Sequence, residues 1–145
     1  MSGSSVGERF GGELSGFRIG QVPAGVGDLV TDFATEWDDV RFASRVWERE
    51  TAEGARVDLR VHVLRGDRLA TLTDLRDFLA EYHERDAGWA LTEFRAGELP
   101  GLVGATEAFW LVTPGVAVDV LIDAAVGGQP ELVAVANAVT PIEAD

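Results

Sequence analysis

The chain has 145 residues and a formal net charge of −13, from 25 acids against 12 bases, with 46% of it hydrophobic and 26% charged. That length and composition suit one globular domain that buries roughly two-thirds of its unfolded surface. No cysteine is present and every base is arginine, which excludes disulfides, thiolate metal sites, cysteine nucleophiles and lysine Schiff-base or P-loop chemistry. The acidic field disfavours a phosphate backbone or an anionic membrane surface as partner.

Residues 1–16 are rich in glycine and serine and read as a flexible tail, with a single α+β domain expected over 17–142. Phe17 to Val22 predicts a first strand, stopped by Pro23, Gly25 and Gly27. Residues 28–36 read as a loop or short helical turn carrying Asp28, Asp32 and Glu36. A long strand is expected from about Asp39 to Glu50, with Arg41, Arg45 and Arg49 on one face because side chains alternate with period two. After a turn at Ala52-Glu53-Gly54, Val57, Leu59, Val61 and Val63 alternate with Asp58, Arg60, His62 and Leu64. The two strands predict an antiparallel hairpin with one core face and one wet face.

Thr71 or Thr73 caps the main helix, whose buried stripe is Leu72, Leu75, Phe78, Leu79 and Tyr82. His83 and Arg85 suit its C-terminal dipole, and Gly88 is expected to end it. Leu91 to Arg95 and Leu102 to Val103 are short strand candidates. Residues 108–113 and 116–122 flank Pro114-Gly115, the pair a type II turn wants, and predict a hairpin. A final helix is expected over about Pro130 to Ala138. The order β-β-β-α-β-β-β-β-α implies a mostly antiparallel twisted sheet of about six to seven strands with two helices packed against it.

Chemistry-bearing motifs are scarce. His62 and His83, with a carboxylate such as Glu84, are the residues from which a pocket or a zinc or iron site would be built, but no His-x-His or His-x-x-x-His spacing exists and no metal is expected. Asp28, Asp32, Glu36, Asp38 and Asp39 lack the register of a calcium loop and read as solvated acids. Ser44 has no Gly-x-Ser-x-Gly around it, and there is no Gly-x-Gly-x-x-Gly. No catalytic residue and no cofactor is therefore expected. The four tryptophans are the remaining feature. Val46 and Trp47 point to opposite sheet faces, as do Phe109 and Trp110, so one of each pair leaves the face that packs on the helices. An exposed Trp47 and Trp110 beside Arg45 and Arg49 would make a binding surface, unless a loop or the second helix covers that face.

From Phe17 to Ile142 the succession "VPAGVG", "VDLRVHVL", "TLTDLRDFLAEYHER", "LPGLVGATEAFWLV", "GVAVDVLID" and "ELVAVANAVTPI" resembles the Mog1/PsbP-like α+β folds of small bacterial lipoprotein-type domains. The arginine, alanine and glycine bias looks like that of an actinobacterial protein. The resemblance implies a non-enzymatic module that binds a protein or small ligand, often at a membrane or in the envelope. The chain has no lipobox cysteine, and no family functional residue is matched.

The first expectation is thus a non-enzymatic protein-binding or assembly module, with a protein partner or self-association through Trp47, Arg45, Arg49 and Trp110. The alternative is a small ligand-binding domain or enzyme with a pocket between sheet and helix at His62, His83 and Glu84. No apolar run reaches the roughly 18–20 residues of a membrane span, and the N-terminus lacks the pattern of a signal peptide. The expected location is cytoplasmic, or the envelope if an upstream signal or anchor has been removed.

Overall fold

Two long hairpins are sewn together edge to edge, and everything else in the chain covers the sheet they make. The computed structural model describes residues 8–86 and 88–142. Its elements in chain order are β1 (Glu8–Arg9), β2 (Gly12–Leu14), β3 (Phe17–Ile19), β4 (Val22–Pro23), β5 (Leu29–Trp37), β6 (Val40–Thr51), β7 (Gly54–Arg65), α1 (Leu72–Tyr82), β8 (Thr92–Ala96), β9 (Leu99–Val103), β10 (Glu107–Thr113), β11 (Val116–Ile122), α2 (Gln129–Ala138) and β12 (Val139–Pro141). The main sheet has seven strands in the order β5-β6-β7-β11-β10-β9-β8, with every neighbouring pair antiparallel. A three-stranded sheet, β12-β3-β2, and the β1-β4 pair lie apart from it. The described residues form a mostly-sheet α+β fold with two helices.

Both turns of the long hairpins stand where Gly54 and Gly115 require them, since these glycines adopt φ of 115° and 90°. Between the hairpins, β7 pairs with β11 over seven residues, Val116 opposite Arg65 through Ile122 opposite Leu59. A register shift follows Trp47, where Trp47 pairs with Leu59 but Glu48 with Val57, leaving Asp58 as the extra residue on β7. Asp58 is fully buried there. It accepts from Arg49 Nε at 2.7 Å, Arg56 Nε at 3.1 Å and the Gly27 N–H at 2.8 Å. Burial raises the Asp58 pKa, but the two arginines and the backbone donor outweigh it and hold the carboxyl below its ordinary range.

Each face of the sheet has its own core. On one side Val40, Phe42, Leu64, Phe109 and Ala117 meet Leu75, Phe78 and Leu79 of α1. On the other, Trp47, Leu59, Val61, Val63, Trp110, Val118 and Val120 meet Leu132, Val135 and Ala136 of α2, together with Leu14, Phe17 and Ile19 of the small sheet. Phe109 and Trp110 of one strand enter opposite cores, and Trp47 enters one core while Val46 points to the other face, so the period-two reading holds, but neither face of the middle strands is wholly wet.

Several expectations are corrected on this account. Trp47 and Trp110, expected as exposed anchors, are 3% and 1% exposed, because α2 and the small sheet cover their face. Arg45 donates to both carboxylate oxygens of Asp32 and to the carbonyls of Gly11 and Glu13, while Arg49 is committed to Asp58. The four residues therefore form no arginine-rimmed apolar patch. His62, assigned to a wet face, is buried. Residues 28–36, read as a loop or short helical turn, fall almost wholly in strand β5 (Leu29–Trp37) at the sheet edge. The strand expected at 17–22 is split into β3 and β4 and lies outside the main sheet, where β5 takes its place in the count. Of the expected tail, residues 8–16 contain β1 and β2, and residues 1–7 lie outside the described residues. Finally, no helix is long and apolar enough to cross a membrane among the described residues.

Trp110→Ala is expected to lower the stability of the fold by about 3–5 kcal/mol, through lost burial and the cavity left behind. Denaturant unfolding followed by circular dichroism measures it. A change near zero would mean that Trp110 does not belong to this core.

Candidate functional site

Covering both faces forces polar side chains of the alternation into the interior, and they gather on the α1 side. Ser44, His62 and Asp119 are successive cross-strand partners on β6, β7 and β11, so their side chains form a row across the sheet. Phe33 of β5 opposes Ser44 at one end of the row, and Phe109 of β10 opposes Asp119 at the other. Glu107 is two residues along β10 from Phe109 and hence on the same face, diagonal to Asp119.

The end of α1 brings two cations onto this row. Thr71 caps the helix start by accepting from the Asp74 N–H. At the other end the Arg85 N–H donates to the Ala80 carbonyl and the Glu84 N–H to the Glu81 carbonyl, with Glu84 at φ 57°. This is a Schellman termination with glutamate in the left-handed position that glycine usually fills. The helix therefore ends at Tyr82, earlier than the expected Gly88, and the reversal turns His83 and Arg85 back to the sheet. Glu84 faces solvent and has no part in the cluster.

His83 Nε2 lies 3.0 Å from Glu107 Oε2 and 3.4 Å from Asp119 Oδ2. Arg85 donates from Nη2 to Glu107 Oε1 at 2.8 Å, with its guanidinium stacked over Trp89. Glu107 and Asp119 are almost wholly buried. Glu107 Oε2, Asp119 Oδ1 and Arg85 Nε are buried without a hydrogen bond of acceptable geometry. On the other arm of the row, Ser44 Oγ and His62 Nδ1 are 2.6 Å apart.

The electrostatics of the two histidines diverge. Burial, with the nearby charges of Arg60 and His83, lowers the His62 pKa to about 4, so this ring is neutral at physiological pH. Burial also opposes charge on His83, but hydrogen bonds to Asp119 and Glu107 outweigh it and raise its pKa to about 9. Desolvation, and then the charge of Glu107, push Asp119 well above its ordinary value. Burial pushes Glu107 the same way, but hydrogen bonds with His83, Asp119 and Arg85 bring it below its ordinary value. The two acids are thus driven in opposite directions, Asp119 toward its neutral form and Glu107 toward its ionised form, with His83 and Arg85 beside them.

Beside the cluster the sheet face is open: α1 meets β5 at Trp37, whose ring packs against Phe78 and Tyr82, while Thr31, Phe33 and Thr35 of the same strand line a cleft. The resulting cleft has a volume of about 460 Å³. Phe33, Val46, Val57 and Tyr82 supply its apolar wall, while Ser44, His62 and His83 line the side next to the carboxylates. Arg60 and Glu48 also line it, and neither has an ion-pair partner among the described residues.

Of the residues singled out in the sequence, His62 and His83 share one cleft, whereas Trp47 and Trp110 lie in the opposite core. Glu107 and Asp119 escaped sequence reasoning. The signal for them was an acid inside each of two otherwise apolar strands, "EAFWLVT" and "VAVDVLI". Comparison with protein-family models, with curated proteins and with solved structures gives no match.

The raised His83 pKa sets the sign of a pH effect. Its proton stabilises the fold fully below the unfolded-state value near 6.5, and that contribution is lost as pH rises through about 9. In chelator-containing buffer, stability is expected to fall between these two limits. His83→Gln should flatten that slope, as read from urea midpoints at each pH; an unchanged slope would show that His83 is not the group responsible.

Proposed function

We propose that the chain is a small-ligand-binding domain, with the cleft between β5, β6, β7 and the end of α1 as its binding site. The observation that supports this most is the neutral His62 of the cleft lining, hydrogen-bonded through Nδ1 to Ser44, with no hydrogen bond at Nε2 to a described residue. A buried neutral imidazole beside apolar walls offers one directional contact to a molecule that displaces water. The fitting ligand has an aliphatic or aromatic body for Phe33, Val46, Val57 and Tyr82, and a hydrogen-bonding head for His62. Arg60 favours an acidic group on that head.

Thr31 lines the cleft from the exposed edge strand, so Thr31→Trp fills the space without entering either core. The probes are benzoate, hydroxybenzoates, indole acids and uncharged phenols, followed by saturation-transfer NMR. At least one class is expected to bind the wild-type chain, and to weaken on the order of tenfold or more in Thr31→Trp at unchanged melting temperature. Binding by no class, or equal binding to both chains, would overturn the assignment.

A second reading, association with a protein partner or another copy, draws on a different surface from the tryptophan pair. Strand β5 is exposed along its whole length, with Leu29, Val30 and Phe33 at 44–51% exposure. Sedimentation of the same samples separates the two readings.

A further inference from the structure

Three ligating groups converge where the polar row meets the end of α1. His83 Nε2 and one carboxylate oxygen each from Glu107 and Asp119 lie within 4.8 Å of one another. Tetrahedral donors about 2.1 Å from an ion stand roughly 3.4 Å apart, so the 3.0 and 3.4 Å separations of His83 Nε2 from the two acids suit one, and the two carboxylate oxygens would draw together around it. We propose that His83, Glu107 and Asp119 form a binding site for a divalent first-row transition ion such as zinc.

Two further observations point the same way. Asp119 Oδ1 is buried with no hydrogen-bond partner in a side chain that is 0% exposed, and Glu107 Oε2 is met by the His83 ring at 3.0 Å. An orphaned buried oxygen is costly, and coordination would satisfy it. The second is the support around the donors. Arg85 occupies Glu107 Oε1 and leaves Oε2 turned to the cluster. The helix termination that places Glu84 in a left-handed conformation fixes the His83 ring over the sheet. Such outer contacts orient metal ligands.

Two carboxylates offset a divalent ion, with neutral imidazole as the third donor, so binding releases the His83 proton, and Arg85 on Glu107 leaves one positive charge at the site. One imidazole among the donors favours zinc, cobalt or iron over magnesium, which prefers an all-oxygen octahedron. With three protein ligands a coordination position is left over, as in zinc sites that exchange water or substrate. His83 lines the cleft, so that position has a route to solvent. His62, the cross-strand partner of Asp119, stands beside it.

The inference does not rest on the ligand reading, since the ion is bound by groups beneath the cleft. The test is titration of the chelator-treated full chain with Co²⁺, followed by visible absorption, with Zn²⁺ in competition and Mg²⁺ as control. One saturable site per chain is expected, displaced by Zn²⁺ and untouched by equal Mg²⁺. Affinity should fall on the order of tenfold or more in Asp119→Asn and in His83→Gln. Thr31→Trp should keep Co²⁺ binding, which separates failure of this site from failure of the cleft. Equal affinity in the folded variants would assign the ion to surface carboxylates and overturn the proposal, as would the absence of saturable binding. Should Asp119→Asn not fold by circular dichroism, His83→Gln at the helix end decides alone.

Discussion

A sheet covered on both faces has no wet side to which its alternating polar residues can be sent, and this constraint organises the molecule. Seven strands present two surfaces, α1 takes one, and α2 with the small sheet takes the other. Every polar residue in the middle strands must then be paired inside or lie where cover runs out. Asp58 is paired, by two arginines and a backbone donor. Ser44, His62, Glu107 and Asp119 gather where α1 ends. The cleft and the cluster therefore lie together, because α1 touches β5 only near its end at Trp37 and leaves the Thr31–Thr35 stretch of that strand uncovered.

Polar groups held in this way are neither free nor fully satisfied. His83 and Arg85 offset the two acids, yet three polar atoms there lack a hydrogen bond. Replacing such a group of side chains by aliphatic residues of similar volume is often neutral or favourable for stability. Their presence between strands as apolar as β10 and β11 argues for use rather than for support of the fold.

Much of the architecture was legible in the chain. Alternation at Val57, Leu59, Val61 and Val63 located β7, and Pro114-Gly115 located the β10–β11 hairpin, because both signals are local. Strand β5 was missed for a physical reason: at an edge with neither face buried, Leu29 to Trp37 carries no period-two contrast. The helix end was missed because a glutamate stands where glycine normally marks the reversal. Reading His62 as wet followed from treating its hairpin as two-faced, one dry and one solvated. Which loop or helix lies over a face is tertiary information, and no spacing along β7 encodes it. The site was legible in half. His62 and His83 were singled out, but their acidic neighbours are separated from them by strand pairings that only the folded sheet creates.

The unpaired rim of β5 has one more implication. Among the described residues its outer edge has no partner strand, and nine residues of open backbone are a template on which another chain could add. Glu36 lies along that edge, with Asp32 held by Arg45, in a chain whose formal net charge is −13. Near neutral pH, two molecules meeting there would bring like charges together. The surplus of acid then serves as a guard on the sheet's open margin, and an ionic strength high enough to screen it is the condition under which that guard is lifted.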